Sequence, residues 1–304
     1  MAFAWNEKTF WLIQRGGWEL PAIGIARRPG FPNNQTMIID AHHHYVKEDG
    51  YPEQLVAEAR RLGIEKVCLF GAGNSFSYGC ARNEDVLAAA RQHPDRIVPF
   101  ACFDLGIDPP NLIDQFAAQG YRGIKFINPQ KNYDDESFYD VYGRLESRKI
   151  PGLFHLGIVA RDPSDKYYKI RNDRHRPVYL DTIARAFPDW KIIGAHFGNP
   201  WCDEAAMAAR WNPNLYFDLS GSLLKYRSAK YLGELLWWTS TTRYRDPLRR
   251  HAWEKIVFGS DVPYREIEDV MTDYRRVMSE LNLPRELQDK GFGGTMADIL
   301  GYNA

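Results

Sequence analysis

From residue 37 onward, short unbroken apolar runs alternate with longer segments whose apolar residues recur at helical spacing. The runs predict strands over 37–42, 66–71, 97–103, 123–127, 152–157, 191–196, 215–219 and 256–259. Helices are predicted over 53–62, 83–92, 111–119, 138–148, 179–187, 203–210 and 229–238, then over 270–281 and, as a closing helix, 295–300. In the first of them Leu55, Val56, Ala59 and Leu62 share one face. Strands that are apolar at every position, rather than at alternate ones, belong to a parallel sheet covered on both sides. Eight right-handed β–α crossovers close most simply into a (β/α)8 TIM barrel. The competing doubly wound sheet expects a glycine-rich phosphate turn after the first strand, where this chain has His42-His43-His44. The sequence thus divides into an N-terminal extension, residues 1–36, and a barrel domain, residues 37–304.

A length of 304 residues suits one barrel as well as two average domains, and a formal net charge of zero gives no reason to expect nucleic acid or a membrane surface as partner. A small-molecule substrate becomes the default. No run reaches the roughly 18 apolar residues a membrane helix needs. The extension carries Trp5, Trp11 and Trp18 among charges and lacks the features of a signal peptide. It is expected to pack on the barrel or on a partner subunit, which leaves a homo-oligomer open. Cys68, Cys80, Cys102 and Cys202 show no paired spacing, and three lie in or beside apolar runs, where buried free thiols are common. A reducing, cytoplasmic environment is the expectation.

In a barrel, functional side chains project from the C-terminal ends of the strands. Five of the eight histidines (His42, His43, His44, His155 and His196) fall at or just after such ends, and so does Asp261. Strict alternation places Asp40, His42 and His44 on one face and turns His43 into the layer under the helices. Two imidazoles two residues apart on extended backbone can bind one cation from the same side. Singly, His155 and His196 read as satisfied core histidines and Asp261 as a helix cap. Together they put the polar exceptions of strands one, five, six and eight on one rim. Three imidazoles and a carboxylate suit Zn²⁺, with Mn²⁺, Fe²⁺ or Co²⁺ also compatible.

Asp40-Ala41-His42-His43-His44, Gly123-Ile124-Lys125, His155, Gly194-Ala195-His196-Phe197-Gly198 and Gly259-Ser260-Asp261-Val262-Pro263 resemble the motifs of the amidohydrolase superfamily. More narrowly, the chain is similar to the amidohydrolase 2 branch, with its aminocarboxymuconate-semialdehyde decarboxylase-like enzymes, over nearly all of 37–301. The resemblance implies that His42, His44, His155 and Asp261 bind one divalent metal ion and that His196 contacts the catalytic water or the substrate. Lys125 stands where other branches of the superfamily carry a carboxylated lysine bridging two metals, so a binuclear site using His155 and His196 is the variant to test. A substrate-carboxylate contact or an interior ion pair is the simpler reading of that lysine. The branch often has Asn-Ala near its last helix, where this chain has Gly294-Thr295-Met296-Ala297.

Such an ion lowers the pKa of bound water towards about 7, making a hydroxide able to attack an amide, a lactone or a polarised double bond. Asp261 is then expected to move the proton, His196 to orient the water or stabilise an oxyanion, and Asp40 either to support the ligand histidines or to make a structural hydrogen bond. Arg161, Lys166, Lys169, Arg171, Arg174 and Arg176, with Arg243, Arg245, Arg249 and Arg250, could border the rim and favour a carboxylated substrate. Solvated loops paired with Asp162, Asp165 and Asp173 account for most of them more simply. Trp201 is a candidate pocket wall, and Trp237 and Trp238 are candidate packing residues. The expected function is metal-dependent hydrolysis of a small carboxylated or cyclic ester or amide, with non-oxidative decarboxylation of an aromatic or dienoic acid as the alternative. A binding barrel without catalysis fits the full ligand set less well.

Overall fold

The computed structural model describes residues 37–75, 79–161, 165–238, 246, 248 and 250–302. The extension expected over 1–36, together with Arg243, Arg245 and Arg249, lies outside the described residues. Strands β1 (Ile38–His44), β2 (Ile64–Phe70), β3 (Ile97–Phe103), β4 (Gly123–Phe126), β5 (Gly152–Phe154), β6 (Ile192–Gly194), β7 (Leu215–Asp218) and β8 (Ile256–Val257) pair in sequence order, every pair parallel. Two backbone bonds draw the last strand to the first: Ala41 N–H donates to Phe258 O and Asp261 N–H to His42 O, both at 2.8 Å. This is the predicted (β/α)8 barrel.

The helices that follow the eight strands in turn are α1 (Tyr51–Leu62), α2 (Asn83–Gln92), α3 (Leu112–Gln119), α4 (Tyr139–Arg148), α5 (Val178–Ala186), α6 (Cys202–Trp211), α7 (Ala229–Leu235) and α8 (Ile267–Glu280). Local sequence explains their limits. Pro52 begins α1, where its missing N–H costs nothing, and Gly63 ends it in a left-handed conformation (φ 72°) with its N–H returned to Ala59 O and Arg60 O. Leu55, Val56 and Ala59 of this helix are buried against the strands.

Two apolar layers result. Val67, Leu69, Ile124, Phe126, Phe154 and Ile192 face outward into the layer shared with the helices. Ile39, Ala41, Cys68, Phe70, Val98, Phe100, Leu153 and Ile193 fill the barrel interior. The closing helix Thr295–Leu300 adds Met296, Ala297, Ile299 and Leu300 to that interior. The missing Asn-Ala is made good by other contacts: Thr295 Oγ1 donates to Glu254 O (2.8 Å) and Gly291 O accepts from Phe258 N (2.8 Å). Gly293 passes so close to the start of β1 that a Cβ there would lie 1.8 Å from Met37 O.

One expectation fails in β1. Its pairing with β2 slips between Asp40 and His43, a bulge that breaks the alternation. Ile39 and Ala41 point into the barrel, and the His42 ring then faces inward too, 5.3 Å from the Phe70 ring. Asp40 therefore does not share a face with His42 and His44. It lies on the side of His43, where both reach Ser260.

Candidate active site

The C-terminal ends of β1, β4, β5, β6, β7 and β8 converge on a small polar centre. His42 is fully buried: its Nδ1 lies 2.8 Å from Asp218 Oδ2, and its Nε2 lies 3.0 Å from Lys125 Nζ and 3.3 Å from Asp261 Oδ1. His44 brings its Nε2 to 3.4 Å from the same Asp261 oxygen. The other carboxylate oxygen of Asp261 is 3.8 Å from His196 Nε2. Both Asp261 (φ 50°) and His196 (φ 58°) sit in the left-handed region, which side chains rarely adopt unless surrounding structure holds them there. These kinks lie just beyond β6 and β8, where the chain leaves the barrel wall at its mouth.

Among the described residues, two sets of potential ligand atoms lie within 4.8 Å of one another: His42, His44 and Asp261, and His42, His196 and Asp218. His155 belongs to neither. It stands one ring further along the rim, its centroid 4.9 Å from that of His196. Its Nε2 is buried with no hydrogen-bond partner among the described residues.

Electrostatics keep this centre rich in lone pairs. Burial, reinforced by Lys125 and neighbouring imidazoles, pulls His44 well below the usual histidine range. Burial, with His196 and His175 beside it, does the same to His155. Burial also lowers His196, although Asp261 and Asp218 oppose the shift. Lys125, fully buried, is brought down to about 8 by desolvation against the pull of Asp261 and Asp218. For Asp218 burial works against ionisation but loses to His42, His196 and the Ser220 hydroxyl, and the carboxyl is held below its usual range.

Asp218 and Ser220 escaped the sequence reading. Asp218 ends an apolar strand at the same rim as Asp261, so the signal was present but looked like the edge of the run. Of the two readings of Asp40, the structural one describes its contacts: it accepts from His42 N (3.1 Å), Ser260 N (2.9 Å) and Ser260 Oγ (2.6 Å). It braces backbone across the β1–β8 seam and touches neither the His42 nor the His44 ring. His43 faces the outer layer as expected, between Ser260 Oγ and Tyr51 Oη at 2.9 Å each.

A cavity of about 260 Å³ opens beside the centre, lined by His44, Cys80, His155, Asp261 and apolar Val46, Ile127, Val159, Ala160, Val262 and Pro263. None of the predicted basic residues that are described is among these. Arg171 pairs with Asp173, Arg174 donates to Pro129 O, Arg176 pairs with Glu204 and Arg250 pairs with Asp246. Trp201 packs under the Arg176 guanidinium instead of lining the cavity. Trp238 is buried and donates to Leu281 O, a packing role.

The donor set suits a divalent cation. The Nε2 atoms of His42 and His44 stand 3.3 and 3.4 Å from Asp261 Oδ1, bringing acceptors close together, and the His42 Nε2 lone pair that receives the Lys125 ammonium is the one a cation would take in its place. A cation shared by such acceptors removes the repulsion, and the unpartnered His155 Nε2 offers one more nitrogen nearby.

An eight-stranded parallel barrel with imidazoles and a carboxylate at its mouth defines a broad class of metal-dependent enzymes. Within it, the model of the amidohydrolase family Amidohydro_2 matches residues 39–301, and the chain belongs to that family. A search of curated proteins finds no match. Solved structures share the fold. An uncharacterised TIM-barrel protein from Bordetella bronchiseptica superposes with a TM-score of 0.63 at 20% identity, covering 87% of this chain and 98% of the other. A probable 2-pyrone-4,6-dicarboxylic acid hydrolase from Acinetobacter baumannii gives 0.57 at 15% identity, covering 87% and 99%. A mutant 5-carboxyvanillate decarboxylase from Novosphingobium aromaticivorans, with bound manganese and a nitrobenzoic acid, gives 0.58 at 12% identity, covering 87% and 97%. Among the described residues no helix is long and apolar enough to cross a membrane.

Proposed function

We propose that this chain is a metal-dependent hydrolase that cleaves a small carboxylated or cyclic ester or amide with water. The observation carrying this reading is the placement of Asp261, with one oxygen between the Nε2 atoms of His42 and His44 and the other toward His196, at the edge of the cavity. His42, His44 and Asp261 would hold the ion, with His155 as the fourth donor; Zn²⁺ suits this set and Mn²⁺ is the main competitor. When bound, a divalent ion supplies Lewis acidity and acidifies water towards neutrality. Asp261 takes the proton of the attacking water and returns it to the leaving group, and His196 orients that water. The buried Lys125 balances the carboxylates of Asp218 and Asp261.

The apolar lining favours a second reading, decarboxylation of an aromatic or dienoic acid, because no arginine or lysine is among the described cavity-lining residues to clamp a retained carboxylate. Asp261 would then pass a proton to the carbon that loses CO₂. Elemental analysis of purified protein, followed by assays on lactones, small esters and aromatic acids, separates the two. A new carboxylate without gas supports hydrolysis; CO₂ release moves the assignment to the second reading; turnover undiminished after complete removal of metal would refute both. The partners proposed are a small-molecule substrate and, at most, a second copy of the chain.

A further inference from the structure

We propose that Asp218 and Ser220 together fix the tautomers of His42 and His196, so that both rings carry their proton on Nδ1 and turn the Nε2 lone pair toward the side of Asp261. The inference deepens the reading of this site as catalytic, yet its test requires neither metal nor substrate. It follows from counting hydrogens. Asp218 Oδ2 is an acceptor 2.8 Å from His42 Nδ1, so His42 donates there. On the other side of the same ring Lys125 Nζ, which can only donate as an ammonium, lies 3.0 Å from Nε2. The lone pair of His42 is therefore on Nε2.

His196 is reached through Ser220. Asp218 Oδ1 accepts the backbone N–H groups of His196 and Ser220, each at 2.9 Å, and lies 2.6 Å from Ser220 Oγ. That oxygen is also 2.9 Å from His196 Nδ1. The hydroxyl has one hydrogen. Given to His196, it would leave two oxygens 2.6 Å apart with nothing between them. Given to Asp218, it lets His196 donate from Nδ1 into the Ser220 lone pairs, and every contact is satisfied. Gly221 leaves room for the arrangement, since a Cβ there would lie 3.1 Å from His196 Nδ1. His42, Asp218 and Ser220 are all essentially inaccessible to solvent, so no water competes.

The consequence bears on what His196 can do. A neutral ring protonated on Nδ1 has no hydrogen at Nε2, so His196 accepts a hydrogen bond from water and aims that water. It does not donate to a developing oxyanion. Ser220 is thus a positioning residue acting through His196, and Asp218 couples His42 to the water-orienting ring.

The test is a long-range ¹H–¹⁵N correlation spectrum of metal-free protein labelled in the imidazole nitrogens. His42→Gln and His196→Gln each delete one ring and so assign the signals. Both rings are expected in the Nδ1–H pattern in the unsubstituted protein. Ser220→Ala is expected to move His196 toward the Nε2–H form and leave His42 in place; Ser220→Thr, which keeps the hydroxyl, restores His196. Asp218→Asn is expected to move both. An Nε2–H pattern for His196 in the unsubstituted protein, or no change in a folded Ser220→Ala, overturns the proposal. If Asp218→Asn fails to fold, those two spectra still decide it.

Discussion

His42 and His43 are neighbours in one strand, equally buried, and built into opposite sides of the barrel wall. His43 sits in a closed circuit: Ser260 Oγ on one nitrogen, Tyr51 Oη on the other, and Asp40 behind Ser260. Nothing in it faces the cavity. His42 has a carboxylate behind Nδ1, but its Nε2 meets a carboxylate oxygen and a buried ammonium at the mouth. Burial is the same in both, so burial alone says little about function. What separates them is what the second nitrogen meets: a neutral hydroxyl in the outer layer for His43, an ammonium and a carboxylate at the barrel mouth for His42.

Substitutions on the open side should have the largest effects. His42→Ala or Asp261→Ala is expected to release bound metal and lower turnover by about 10³-fold or more, since the ion's contribution is several kcal/mol; elemental analysis alongside kinetics checks it, and stoichiometric metal retained in either variant counts against the assignment. On the closed side, His43→Ala is expected to cost about 2–4 kcal/mol in urea unfolding, by opening a cavity and stranding Tyr51 and Ser260, while metal content stays the same.

His175 tests the distinction at a third position. It is fully buried between Arg171 O and the Asn128 N–H, and burial lowers it from 6.5 to about 4. Between those values the unfolded chain binds a proton that the folded protein refuses. Stability should therefore fall as pH drops from 6.5 to 4, by roughly 3 kcal/mol from this residue. His175→Gln should flatten the slope by about one proton, measured by denaturant titrations across that range; an unchanged slope would mean the ring protonates in place. Smallest of all, Tyr51→Phe should cost about 1 kcal/mol and leave the metal untouched.

Much of this was legible in the sequence because strands buried on both faces leave long apolar runs and helices leave a 3.6-residue rhythm. Helices α2 and Thr295–Leu300 fall where the rhythm places them, and β3 matches residue for residue. The clustering of His42, His44 and Asp261 was equally readable from rim position. What was not readable was phase. The β1 bulge reverses Asp40, and no local residue announces it, because the slip is set by pairing with β2. Nor could alternation locate His155, which lies beyond the end of β5 and outside the tight groups of ligand atoms. Asp218 was passed over because a single carboxylate at the end of an apolar run resembles a boundary rather than a part of the site.

The seam where β8 meets β1 gives the site a second, mechanical meaning. His42 comes from the first strand and Asp261 from just past the last, and few backbone bonds stitch the two together. A cation gripped by both residues would work as a clasp on the ring, tying opposite ends of the barrel's path through sequence. Occupancy should then slow the opening of that joint in particular. Amide hydrogen exchange at Ala41 and Asp261 ought to report it, with added metal protecting these two positions more than amides in β3, which lies away from the joint.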